Sequence, residues 1–420
     1  MSAMREDAVR PTPADPTDPV RAFYDAHPYP PPIGDLSPRR ERYQDPDRLR
    51  AQSLLLWPLK KRRPNRKILI AGCGTSQAAR YALAEPHANV TAIDVSEIGL
   101  RFTRDLQEKH DLRNLVLHRL AIERVAELGE AFDQIVCTGV LHHLPDPDAG
   151  LRSLRGVLAA DGAMHVMVYA GYGRAGVYMM QRYCRLLGIG ASKTELRDLA
   201  ATIGALSSDH PIAGVAKRSK DFGQPDALAD ALLHPQDRAF TVLQLHDWLR
   251  RCGLVFGRWF EQAPYLPRCG MMARAPHAER LNSLPAHAQH AAMELLRGTM
   301  DRHSFVAYRD DRADLSQPIA FEGDAWRTYV PVGLPWSRCL EDRAPPSFAA
   351  VLINPNHMYA DLALPIVDAE QRVLAAIDGV RPIGEILNKA AGSISGDAGR
   401  EFFKRLWEYD QIVFDAKGSS

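Results

Sequence analysis

Short apolar runs alternate with amphipathic stretches through the middle of the chain. "ILIAG" from Ile68 and "NVTAIDVS" have strand length, and "SQAARYALAEP" between them has helical spacing. The alternation continues through helix "EIGLRFTRDLQEKHDL", strand "LVLHRLA", buried run "DQIVCTGV", helix "DAGLRSLRGVL" and buried run "GAMHVMVYA". Strands and helices in turn predict an α/β fold, a parallel, doubly wound Rossmann-like sheet. After Tyr169 the pattern loosens into a helical insert over residues 171–238. "TVLQLHDWLRRCGL" then gives an amphipathic helix entering strand "VFGRWFEQ", which ends the sheet domain (66–275).

Outside that block the pattern changes. Residues 276–312 read as a helical connector. In 313–420, strand-like "WRTYVPV" and "FAAVLIN" precede three helices, "DAEQRVLAAIDG", "IGEILNKAAG" and "AGREFFKRLWEYD", and a closing strand, "QIVFD". That order predicts a smaller α+β, winged-helix-like domain. At the other end, residues 1–20 are rich in Pro, Asp and Thr and are expected to be disordered. Residues 21–65 form an arm in which "FYDAHPYPPP" sets aromatics among prolines that force extended backbone. Such an arm is either a lid over a ligand site, with Tyr24 and Tyr29 facing in, or a surface strap.

Composition removes some classes. With 52 basic against 51 acidic residues there is no general attraction to nucleic acid or membranes. Residues 341–420 carry 8 Lys and Arg against 12 Asp and Glu, which suits phosphate contact poorly. No run of about 18 apolar residues appears, and the six cysteines form no Cys-x-x-Cys pair. The expectation is a cytoplasmic protein with reduced thiols, no membrane insertion, no nucleic-acid partner and no metal; a homo-oligomer is left open.

The chemistry starts at "RKILIAGCGTSQ". Gly72 and Gly74 let the backbone approach a ligand that a β-carbon would hold away. Asp94 closes the second strand, where an acid can accept both hydroxyls of a ribose. A dinucleotide or S-adenosylmethionine fits so far. Gln77, where a dinucleotide fingerprint wants a small residue, weakens the first.

The stretch "FDQIVCTGVLHHLPDPDAGLRSLRGVLAADG" resembles the class I S-adenosylmethionine-dependent methyltransferases. It shares a Phe-Asp strand opening, a Leu-His-His-Leu loop, a helix and a turn before strand five. "LAADG" departs from the usual Leu-x-Pro-Gly-Gly turn, and Ala71 stands where an acid often precedes the first glycine. The resemblance implies S-adenosylmethionine as cofactor, with Gly72, Cys73 and Gly74 around its methionine part and Asp94 at the ribose. It places Ala121 and Ile122 near adenine, with Glu123 adjacent, and Thr138, Gly139 and Val140 beside the transferred methyl. "FYDAHPYPPP" and "VLAAIDGVRPIGEIL" also resemble parts of bacterial protein-lysine methyltransferases that carry a regulatory or winged-helix region, and the Asp378-Gly379 turn resembles small peptide-binding modules.

Methyl transfer from a sulfonium needs alignment more than acid–base help. Candidate catalytic residues are His142, His143 and Tyr169 at strand ends; Tyr172 and Arg174 are candidates for the acceptor side. Each has a plain alternative: the histidines as loop packing, Arg174 as a surface residue. The acceptor, a small molecule or a protein side chain, is not named by these residues. A non-catalytic protein that keeps the fold and holds a partner through its C-terminal module is the rival reading.

Overall fold

The computed structural model describes residues 19–60, 63–219, 222–316, 318–389, 394 and 396–417. The expected disordered tail lies outside these residues except for its last two, which begin a helix, Pro19–Ala26. The central sheet has strands β1 (Lys67–Ala71), β2 (Asn89–Asp94), β3 (Leu115–Arg119), β4 (Phe132–Thr138), β5 (Leu158–Tyr169), β6 (Leu254–Trp259) and β7 (Arg302–Arg309). Their spatial order is β3-β2-β1-β4-β5-β7-β6. β1 to β5 pair in parallel, and β7 runs antiparallel between β5 and β6. The reversal at β1, between β2 and β4, opens the crevice at the strands' C-terminal ends where ligands bind in such sheets.

Sequence chemistry sets the local boundaries. Ser96 caps helix Glu97–Lys109 by accepting the Gly99 N–H, and Asp146 with Pro147 starts helix Pro147–Val157. A Thr241–Gln244 capping box opens helix Val242–Arg251. β1 and β4 are nearly continuous apolar runs because helices cover both faces of the sheet. Trp248, Trp259 and Phe305 fill the core on one side.

Three expectations need correction. The stretch 276–312 is not only a helical connector: it supplies β7, so the sheet ends at residue 309, not 275. "RHSFVAYR" has the twofold alternation of a strand, but helix Ala286–Arg297 upstream masks it. "LAADG" is not a free turn, since β5 already begins at Leu158, which pairs with Phe132 before the register shifts. "WRTYVPV" is half strand: Ala325–Thr328 is a 3-10 turn, and Val330–Gly333 is the strand.

The C-terminal region contains two small sheets. Val330–Gly333 pairs antiparallel with Ile412–Asp415, while Ala350–Ile353 lies between Arg338–Leu340 and Leu364–Ile366. Helices Asp368–Ala375, Ile383–Lys389 and Gly396–Glu408 cover them, with Phe402 and Phe403 fully buried. Residues 171–238 form helices Ala175–Leu187, Lys193–Gly204, Pro211–Arg218 and Pro225–Leu233, packed on a core of their own.

Candidate functional site

The glycine turn after β1 meets the arm. Thr75 donates from its hydroxyl to the Pro30 carbonyl at 2.8 Å, and a β-carbon on Gly74 would touch Tyr29 O and Pro30 Cδ at 3.4 Å. Asp94 is braced by two backbone donors, Gly74 N–H to Oδ2 at 2.8 Å and Ser96 N–H to Oδ1 at 2.9 Å. Each oxygen keeps a lone pair for a further donor. Burial raises the Asp94 pKa, against the pull of those N–H groups. Gln77, which argued against a dinucleotide, donates to Thr138 Oγ1 at 2.9 Å and ties helix Gln77–Ala84 to the end of β4.

A cavity of about 470 Å³ runs from this turn toward the helical insert. It is lined by the expected Tyr24, Tyr29, Gly72, Cys73, Gly74, Asp94, Ile122, Thr138, Gly139, Val140, His143, Tyr169 and Arg174. Three expected residues fall outside the lining. Ala121 leads into the 3-10 turn Ile122–Leu128, and Leu120, Ile122 and Glu123 take its place. His142 is fully buried behind the wall, its ring centre 3.9 Å from that of Tyr169 and tilted by 36°. Tyr172 is 45% exposed.

Arg174 is no surface residue. It is buried, bonds Asp237 at 3.4 Å and lies 3.5 Å over the Tyr169 ring. Burial pulls His142 well below the usual histidine range, and it brings His143 down to about 4 despite the His143 bond to the Gln236 carbonyl. Both imidazoles are therefore neutral at pH 7. Ligand-capable atoms of His142, His143 and Asp237 lie within 4.8 Å of one another. The Arg174 guanidinium beside the same carboxylate opposes a second positive charge there.

Sequence reasoning missed the far wall. Asp230, from helix Pro225–Leu233, is 4% exposed and accepts hydrogen bonds from Tyr24 (Oη to Oδ1, 3.0 Å) and Tyr169 (Oη to Oδ2, 3.3 Å). It lies in "PDALADALL", which reads as an ordinary amphipathic helix; nothing local marks it. The arm is held beside the insert by His27 on Asp226 at 3.1 Å and, near Asp94, by Asp25, which accepts the Ser96 hydroxyl at 2.7 Å.

Comparison with known proteins bears on this geometry. A methyltransferase-domain family model matches residues 69–164. An uncharacterised protein of Synechococcus sp. is 32% identical over 296 residues, covering 67% of this chain and 69% of that one. The ubiquinone biosynthesis O-methyltransferase of Actinobacillus pleuropneumoniae is 32% identical over 103 residues, 24% of this chain and 44% of its own length. The chain thus spans less than half of that enzyme. PKMT2 from Rickettsia typhi, solved also in complex with AdoHcy, shares the fold: TM-score 0.61 at 14% identity, over 89% of this chain and 75% of that one.

Proposed function

The chain belongs to the class I S-adenosylmethionine-dependent methyltransferases, and on that premise we propose that it transfers the methyl group to a nucleophile admitted between its arm and its helical insert. The observation that carries this is one continuous cavity with two chemically different ends. At one end stand the glycine turn and Asp94, whose remaining lone pairs suit the vicinal hydroxyls of a ribose. At the other stands a carboxylate framed by two phenols.

When bound, S-adenosylmethionine supplies a methyl already activated by its sulfonium. This chain's residues then hold, align and exclude water. Gly72, Cys73 and Gly74 would border the methionine part, Ile122 and Glu123 the adenine, and Thr138 to Val140 the reacting region. Tyr24 and Tyr29 serve as lid residues: the bond between Thr75 and Pro30 brings the arm over the turn. His143, neutral and bonded to Gln236, acts as wall rather than as an acid. The C-terminal domain serves as a fixed neighbour that contributes Met358 to the cavity lining.

The test is titration calorimetry with S-adenosylmethionine on wild type and Asp94→Ala, followed by methyl-labelling of a bacterial lysate. Losing hydrogen bonds to a charged group worth about 1.5–3 kcal/mol should weaken binding roughly 10- to 100-fold. Unaltered affinity in a variant with an unchanged melting temperature would remove Asp94 from the site. Binding without label transfer would favour the non-catalytic alternative.

A further inference from the structure

Arg80 stands at the glycine-turn end of the cavity without a bonded partner. It lies in helix Gln77–Ala84, three residues past Gln77, and both side chains line the cavity. Side chains on a helix lean toward its N-terminus, so the Arg80 stem runs back over the start of the helix and the turn that feeds it. Arg80 is partly buried; its Nε is shut off from water with no hydrogen-bond partner, and among the described residues it makes no ion pair. A buried donor on a charged group costs stability when nothing accepts from it. Ser76, before the helix, does not cap it, and its own buried Oγ has no partner either. Uncapped N–H groups beside a guanidinium favour an anion.

The other arginines of the cavity are placed elsewhere. Arg174 is bonded to Asp237 and lies over the Tyr169 ring. Arg218 ends helix Pro211–Arg218 in the insert. Arg302 opens β7, three strand spacings or about 14 Å from β1. The nearest acid of the turn lies to one side. Asp94 ends β2, which flanks β1 on one edge, whereas Gln77 reaches Thr138 on β4, which flanks it on the other. Residues three apart share a helix face, so Arg80 follows Gln77 and turns away from Asp94. The cofactor end of the cavity thus carries negative charge on the ribose side and positive charge over the start of this helix.

We infer that Arg80 binds the carboxylate of the cofactor's methionine part and so selects a cofactor whose amino-acid end is intact. This rests on the methyltransferase reading above. The methionine part carries an ammonium and a carboxylate. Ala71 withholds the acid that would meet the ammonium, which leaves the carboxylate as the group open to a charged side chain. A guanidinium offers a carboxylate two parallel N–H donors, a geometry that a lysine ammonium cannot copy. The nitrogen left unmet on Arg80, Nε, is one that such a pair can use.

The experiment is titration calorimetry of the full chain with S-adenosylmethionine, its decarboxylated form and methylthioadenosine, which lacks the whole amino-acid end. Wild type should bind S-adenosylmethionine about 10- to 100-fold more tightly than the decarboxylated form. Arg80→Met keeps the stem and removes the charge. It should cut that preference to about threefold or less while leaving the affinities for the decarboxylated form and methylthioadenosine unchanged. Arg80→Lys, with charge but no fork, should keep part of the preference. A full preference surviving in Arg80→Met overturns the inference. So does a variant that loses the same factor for all three ligands, which is what a merely structural role would give. A wild type that binds S-adenosylmethionine and its decarboxylated form equally overturns it with no variant needed. If Arg80→Met does not fold, Arg80→Lys is read in its place, and an undiminished preference there overturns the fork. A wild type that binds none of the three removes the methyltransferase reading itself.

Discussion

At Gly72 the backbone turns with φ +74°, and a β-carbon there would lie 2.3 Å from Val140 Cγ2. Gly72→Ala is therefore expected to lower stability by about 1–3 kcal/mol for the left-handed backbone alone, with a steric cost added. Adding Val140→Ala should return the steric part only, so thermal melts of the two variants should differ without reaching wild type. The buried histidines give a second prediction at this scale. His143, His165, His234 and His290 are held at about 3 to 4, in each case chiefly by burial. Their folded pKa values lie below the unfolded one, so their stability contribution is complete above pH 6.5 and is lost as pH falls toward 4. Each should cost about 1.4 kcal/mol per pH unit in that window. Asp230, raised to about 6, works the other way between pH 6 and 4, and burial also raises Asp94, Glu261 and Glu408, so these carboxyls oppose the histidine loss. Urea midpoints at pH 7 and 5 check the net loss. The glycine turn and Asp94 were legible in sequence because their function is local: a turn and the residue that ends the next strand. Asp230, Asp237 and His234 were not, because only the tertiary fold brings Asp230 into the cavity and sets Asp237 behind Arg174 and His234 behind His143.

The same contrast holds for elements. β1 and β4 are nearly continuous apolar runs, and β2 to β5 are set off by helices that open on Ser96 and Asp146 caps, so these strands can be read directly. β7 could not, because its alternation is brief and its partners, β5 and β6, lie more than 40 residues away in sequence. Its position decides a truncation experiment. A chain ending at residue 275 would lack the strand between β5 and β6, leaving the unpaired edge of β5 and a β6 with no partner in the sheet. It is expected to be insoluble or to lack a cooperative melting transition by circular dichroism. A cooperative transition in that fragment would mean β7 is dispensable. The arm was legible as a proline-stiffened segment, but its contacts with Thr75, Ser96 and Asp230 were not, because each joins residues tens to hundreds of positions apart.

Over the whole molecule, buried carboxylates help fasten the C-terminal domain to the sheet domain: Glu408 pairs with Arg268 at 2.8 Å, and Asp410 sits at a second junction. Asp410 accepts from Arg258 at 3.2 Å and from the Ala263 N–H at 3.0 Å, and it meets His357 at 3.0 Å. Asp410→Ala leaves Arg258 and the Ala263 N–H without that partner and should cost about 3–5 kcal/mol, measurable in chemical denaturation. A loss under 1 kcal/mol would show that the remaining contacts, among them Arg268–Glu408 and Gln262 on the Trp407 carbonyl, hold the two parts without it. The arm has a different kind of consequence. It borders the glycine turn through Pro30 and, on the proposed function, the acceptor end through Tyr24, so exchanging spent cofactor for fresh and releasing the acceptor would depend on the same arm moving. An acceptor that could take several methyl groups would then lose its hold each time the cofactor is replaced. Mass spectra taken at low conversion should show singly methylated product accumulating before higher forms: the catalyst would be distributive, its count of methyl groups set by re-encounter rather than by residence.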